Sequence, residues 1–112
     1  MKVRSTDHES HTGRTLHLRI WSPEDAPKAA LVLVHGLGEH AGRYGHVAEH
    51  FVGHGFQVYG VDHLGFGRSG GKRGDATINT MARDVVSLSG RIDADLGHDA
   101  RRVLIGHSMG GL

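Results

Sequence analysis

Cysteine is absent from the chain. That closes disulfide and thiolate–metal readings and leaves the redox compartment undetermined. Long apolar runs are missing too: the longest clean one, Ala29 to Val34, is far too short to cross a bilayer. The first residues, Met1 to Arg14, are polar and mixed in charge, without the apolar core of a secretory signal. The expected location is therefore cytoplasmic. Neither sign of charge dominates. Lys and Arg total 13 against 12 Asp and Glu, a net charge of +1, and the pairs Lys72-Arg73 and Arg101-Arg102 do not extend into clusters. Such a balance argues against a nucleic-acid partner and says nothing of membrane contact or oligomeric state. What the chain has in excess is glycine, 18 of 112 residues, about twice the usual share. Glycine at that density implies several tight turns, as strand–loop–helix corners require.

The length suits one domain with its own core, and residues 1–112 are read as a single unit without repeat or low-complexity segment. Thr15 to Trp21 alternates, with Leu16, Leu18 and Ile20 against His17 and Arg19, as a half-buried strand does. A shorter strand over Lys2 to Thr6 is expected to pair with it through a turn near Ser10 to Gly13. Ala30 to Val34, Phe56 to Val61 and Arg102 to Ile105 are apolar without alternation, the mark of strands covered on both faces in a parallel sheet. Tyr44, Val47, Ala48 and Phe51 fall at helical spacing before Gly53 to Gly55. Ile78, Met81, Ala82, Val85, Leu88, Ile92 and Leu96 form a second helical stripe, capped by Thr77 and stopped by Gly97, with Gly90 as a point of possible bending. Apolar strands alternating with helices give an α/β class, a mostly parallel sheet with flanking helices and right-handed crossovers.

Chemistry concentrates near the end of the sequence. Gly106-His107-Ser108-Met109-Gly110 is G-x-S-x-G directly after Val103-Leu104-Ile105. A strand, a sharp turn carrying a serine between glycines, and a helix make a nucleophile elbow, in which the backbones approach too closely for a Cβ. Three blocks then carry a specific resemblance. His35-Gly36-Leu37-Gly38-Glu39-His40 followed by Gly42-Arg43-Tyr44, then Asp62 to Ser69 with Gly71 to Gly74, then Gly106 to Gly111, resemble in order and spacing the monoacylglycerol lipase and lysophospholipase-like branch of the α/β-hydrolase superfamily. Leu64 and Phe66 depart from it, standing where that branch more often has Arg and His.

The resemblance implies the N-terminal portion of an α/β-hydrolase fold and a serine hydrolase of carboxylic esters. Its substrate would be a small lipid, a monoacylglycerol or lysophospholipid, cleaved through an acyl-enzyme, with aminopeptidase, thioesterase and simple carboxylesterase activity left open. Ser108 is the expected nucleophile, since a hydroxyl becomes reactive when a neighbouring base takes its proton. The oxyanion would be held by two backbone amides, that of Met109 after the nucleophile and, by resemblance, that of Leu37. In this fold the acid and then the histidine follow the serine along the chain. Neither follows Ser108 within these 112 residues, so the chain by itself is expected to be inactive. His35 is expected to support the oxyanion loop, while Asp62, His63 and Asp84 have no place in that order. No cofactor and no metal are implied.

Other patterns compete. Gly36-Leu37-Gly38-Glu39-His40-Ala41 is G-x-G-x-x-A between strand and helix, with Asp62 ending the next strand, the layout of a dinucleotide-binding domain. Glu39, however, would set a carboxylate where pyrophosphate meets the helix N-terminus, and the elbow would go unexplained. His46-Val47-Ala48-Glu49-His50 matches H-x-x-E-H, extended by His54. The helix already commits Tyr44, Val47, Ala48 and Phe51 to a core, so the pattern reads as a solvated face. Gly65 to Gly70 mimics a second such glycine fingerprint, but no helix pattern follows it and it reads as a turn.

Overall fold

The computed structural model describes residues 1–35, 44–62, 69–70 and 78–106. Strand β1 (Lys2–Glu9) leads into β2 (Thr15–Ser22), followed by β3 (Ala29–Val34), helix α1 (Gly45–Val52), β4 (Phe56–Val61), helix α2 (Ile78–Leu96) and β5 (Arg102–Gly106). These five strands form one sheet in the order β1-β2-β4-β3-β5. The three apolar strands run parallel, β3 between β4 and β5. The β1–β2 hairpin joins antiparallel, β2 pairing with β4. Its first strand reaches Glu9, beyond the expected Thr6, because the register continues to Glu9 opposite Thr15.

Alternation along the strands sorts the core into two layers. Leu16, Leu18 and Ile20 of β2, Ala30, Val32 and Val34 of β3, and Tyr59 and Val61 of β4 pack against Leu88 and Ile92 of α2. The opposite face gathers Trp21, Leu31, Leu33 and Val58 under Ala48 and Val52 of α1. Both faces of β3 are thereby covered, which is why its apolar residues need not alternate. Helix α2 ends as its sequence demands. Gly97 takes φ +98° and its N–H donates to the Asp93 carbonyl at 3.0 Å, an αL stop that side chains resist. The Arg102 guanidinium closes the same end through the Asp93 carboxylate and holds that carboxyl below its usual range.

One expectation is corrected. Arg102 to Ile105 is a strand, but it is not buried on both faces: Val103 is 44% and Leu104 60% exposed. The reason is positional, since β5 lies at the sheet edge with β3 as its neighbour, and an apolar sequence does not by itself supply a cover. Thr77, the expected cap of α2, lies outside the described residues. Among the described residues no helix is long and apolar enough to cross a membrane.

Candidate active site

The parallel strands β3, β4 and β5 end together. Leu33 stands opposite Gly60 of β4 and Ile105 of β5, and Val34 opposite Gly106. The chain leaves β3 toward α1 on one face and leaves β4 toward α2 on the other. In α/β sheets generally, neighbouring strands whose connections turn to opposite faces mark the carboxyl edge at which ligands bind. The residue assigned as nucleophile, Ser108, and the assigned oxyanion donors Leu37 and Met109 lie outside the described residues. What is described are the strand ends that precede them in sequence. His35, two residues before Leu37, is fully buried where β3 ends, and Gly106 is in register beside that end.

The edge of β4 is built more elaborately than its sequence suggests. Asp62 is fully buried, and its carboxylate lies 3.8 Å from Nη1 of Arg19 on β2. Its backbone N–H donates to the His17 carbonyl at 2.9 Å. Ser69 Oγ donates to the Asp62 carbonyl at 2.6 Å and accepts the His17 N–H at 2.7 Å. The Gly70 N–H adds a bond to the Thr15 carbonyl at 2.7 Å, and a Cβ on Gly70 would come within 3.2 Å of that oxygen. Residues 62 and 69 are thus stapled to each other and to β2. This disposes of the ribose role for Asp62: a buried carboxylate paired with an arginine of the sheet is not free to receive a sugar hydroxyl.

A second polar cluster, also without a sequence signal of its own, joins the hairpin to α2. Asp84 is fully buried; its Oδ1 accepts the Ser10 hydroxyl at 2.7 Å and the His11 N–H at 3.1 Å. His11 Nε2 approaches the same oxygen at 4.0 Å. Ser87 donates its hydroxyl proton to the Asp84 carbonyl at 2.6 Å, and His8 Nε2 sits 2.7 Å from Ser87 Oγ. With the serine proton committed to that carbonyl, the His8 nitrogen is the donor. His8 therefore does not act as a base toward Ser87, and the cluster is a clasp rather than a second nucleophile. Burial depresses the His8 pKa from 6.5, against the opposing pull of Asp84. Further along, Tyr59 OH donates to Asp95 at 2.8 Å and receives the Gln57 amide at 2.8 Å; burial, then the Asp95 bond, raises the phenol pKa.

Asp84, Ser87, Arg91 and Asp95 follow one another at helical spacing beside the apolar stripe of α2. That spacing was available in the sequence, but a polar stripe ordinarily signals solvent. His46, Glu49, His50 and His54 are exposed, as a solvated face requires.

Comparison with known proteins gives a consistent answer. The family model described as serine aminopeptidase, S33, matches residues 25–112. A monoacylglycerol lipase of Mycolicibacterium smegmatis is 45% identical over 93 residues, 82% of this chain and 33% of that protein. The monoglyceride lipase of Mus musculus is 39% identical over 100 residues, 88% of this chain and 33% of that protein. Among solved structures, a thermostable carboxyl esterase from Bacillus coagulans superposes with a TM-score of 0.86 at 32% identity, covering 98% of this chain and 37% of that one. The chain thus spans about a third of the length of the curated relatives it matches. A dinucleotide-binding domain is not favoured by these matches. The register of β3 against β5, the two-layer packing and the match over residues 25–112 make the chain a member of the serine aminopeptidase S33 family of α/β hydrolases, in its monoacylglycerol lipase-like branch.

Proposed function

We propose that the complete enzyme is a serine hydrolase of carboxylic esters, acting on a monoacylglycerol or lysophospholipid through an acyl-enzyme. Ser108 is the nucleophile, and the amides of Met109 and Leu37 hold the oxyanion as the acyl carbon becomes tetrahedral. Attack by Ser108 Oγ forms the acyl ester and expels the alcohol, which takes the proton removed from the serine; water then releases the acid and restores Ser108. The single observation that carries this reading is the pairing of Val34 with Gly106. It sets side by side the strand ends that precede Leu37 and Ser108 in the sequence, which supports acyl transfer with two backbone donors. The choice of ester over peptide rests on the lipases at 45% and 39% identity. Cytoplasmic location belongs to the same proposal.

A fluorophosphonate mapped by mass spectrometry tests the assignment. In the complete enzyme it labels Ser108 and no other serine, and Ser108→Ala removes both labelling and ester turnover. Leu37→Ala is mild, because the donor is a backbone amide, whereas Leu37→Pro is severe. No acid or imidazole follows Ser108 in these 112 residues, so the chain alone hydrolyses short p-nitrophenyl esters at background rate. A label elsewhere, or full turnover in Ser108→Ala, overturns the assignment; faster cleavage of aminoacyl amides than of esters overturns the substrate class.

A further inference from the structure

The exposed end of α1 carries chemistry that ester hydrolysis does not use. His50 lies in the last turn of α1 and His54 just beyond it. Gly53 between them keeps helical dihedrals, φ −61° and ψ −20°, so residues four apart stay on one side of the chain. The two imidazole rings meet, with centroids 4.9 Å apart and planes inclined at 62°. Phe51 braces His50 edge-on at 5.4 Å. Both histidines are exposed; the His54 N–H donates to the Phe51 carbonyl at 3.0 Å, and among the described residues neither imidazole is engaged in a hydrogen bond or ion pair. Their surroundings favour a cation. The carbonyl end of α1 is the negative end of its dipole; beside Val52 and Gly53 a cavity of about 470 Å³, which neither histidine lines, carries Glu24, Asp25 and Glu49, with the Met1 ammonium 3.7 Å from Glu24. Carboxylates grouped in a cleft raise the local concentration of cations.

We propose that His50 and His54 form a two-imidazole chelate for a divalent transition ion of intermediate softness, Cu²⁺, Ni²⁺ or Zn²⁺, with water completing its coordination. Imidazole nitrogen suits these ions, whereas Mg²⁺ and Ca²⁺ prefer oxygen. Rotation about χ2 turns each ring without moving the backbone, which lets both bring a nitrogen toward one ion at the usual ~2.0–2.1 Å. The site differs from the H-x-x-E-H pattern, which would use His46 and His50 with Glu49 as base. Among the described residues no group of three or more histidines and carboxylates is placed to hold a metal. Two protein ligands make an open, exchangeable site on the surface, with no part in acyl transfer.

Titration of the untagged chain with Ni²⁺, followed by calorimetry and by histidine NMR signals, tests this. One saturable ion per chain is expected, perturbing His50 and His54 first, with affinity falling as the solution is acidified because protons compete for the same lone pairs. His50→Gln and His54→Gln should each weaken binding at least ten-fold, while His46→Gln stays within two-fold. Circular dichroism confirms that these surface variants remain folded. Absence of saturable binding at millimolar Ni²⁺, or loss in only one of the two key variants, overturns the chelate. So does a large loss in His46→Gln, or equal affinity for Mg²⁺, which would assign the ion to the acidic cavity instead.

Discussion

Removing the Asp84 carboxylate should unfasten the hairpin from α2. Its Oδ1 accepts from the Ser10 hydroxyl at 2.7 Å and the His11 N–H at 3.1 Å, in a site where Asp84 is fully buried and Ser10 is 3% exposed. Hydrogen bonds to a charged group contribute about 1.5–3 kcal/mol each, so Asp84→Ala forfeits at most about 3–6 kcal/mol. Two effects reduce that. Ser10 keeps its contact with Thr12 at 2.9 Å, and alanine favours the helix by up to about 0.7 kcal/mol. The net expected loss is about 2–4 kcal/mol. Asp84→Asn retains an acceptor at Oδ1 but makes both bonds neutral, worth about 0.5–1.5 kcal/mol each. It also sets an amide donor where Oδ2 has no hydrogen-bond partner among the described residues, so its cost is intermediate. Trp21, the single tryptophan, is 4% exposed on the opposite face and reports global unfolding without touching the clasp. In urea, at a slope of about 2 kcal/mol/M, the middle of the usual range, the Asp84→Ala midpoint should fall by roughly 1–2 M. A change under about 0.5 kcal/mol, typical of an uninvolved surface site, would refute the reasoning. Strict additivity of Ser10→Ala with Asp84→Ala would do so as well, since bonded partners must couple.

Two further outcomes follow from the same structure. Because burial lowers the His8 pKa from 6.5, the unfolded chain takes up this proton first; the stability held by neutral His8 is complete above pH 6.5 and declines as the pH falls from there toward the folded value. Urea melts between pH 7.5 and 5 should show a smaller slope in His8→Gln, and an identical slope would exclude His8 as the cause. Leu104 is 60% exposed on β5, so Leu104→Lys should cost under about 0.5 kcal/mol while reducing edge-to-edge association; an unchanged sedimentation profile would count against that edge as the adhesive surface.

The layered core was legible because apolar periodicity reports which side of an element is covered. Leu16, Leu18 and Ile20 alternate and are buried; Ala30 to Val34 do not alternate and are covered on both faces. Periodicity carries no information about how many neighbours a strand has, and β5 shows the consequence, its apolar Val103 and Leu104 lying open at the sheet edge. The clasp and the staple were illegible for a related reason. Asp84, Ser87 and Ser69 are ordinary polar residues whose partners, Ser10, His8 and His17, are 74, 79 and 52 residues away in sequence. Hydrogen-bond partners at that distance are chosen by topology, and the strand order β1-β2-β4 had to be known before they could be paired. For the candidate site, the strand ends flanking it were readable from composition, whereas Ser108 is assigned from the sequence alone, by its G-x-S-x-G pattern, and lies outside the described residues.

The staple between Asp62 and Ser69 also bears on how such a scaffold can diversify. Because the Ser69 hydroxyl ties position 69 to the Asp62 carbonyl and to the His17 amide, the two ends of the intervening segment are anchored by bonds that do not involve the segment itself. Closing a loop between ends already held costs little more as it lengthens, about 0.6 kcal/mol for each doubling. The sequence between these two anchors can therefore change in length or composition while the pairing of β2 with β4 keeps its register.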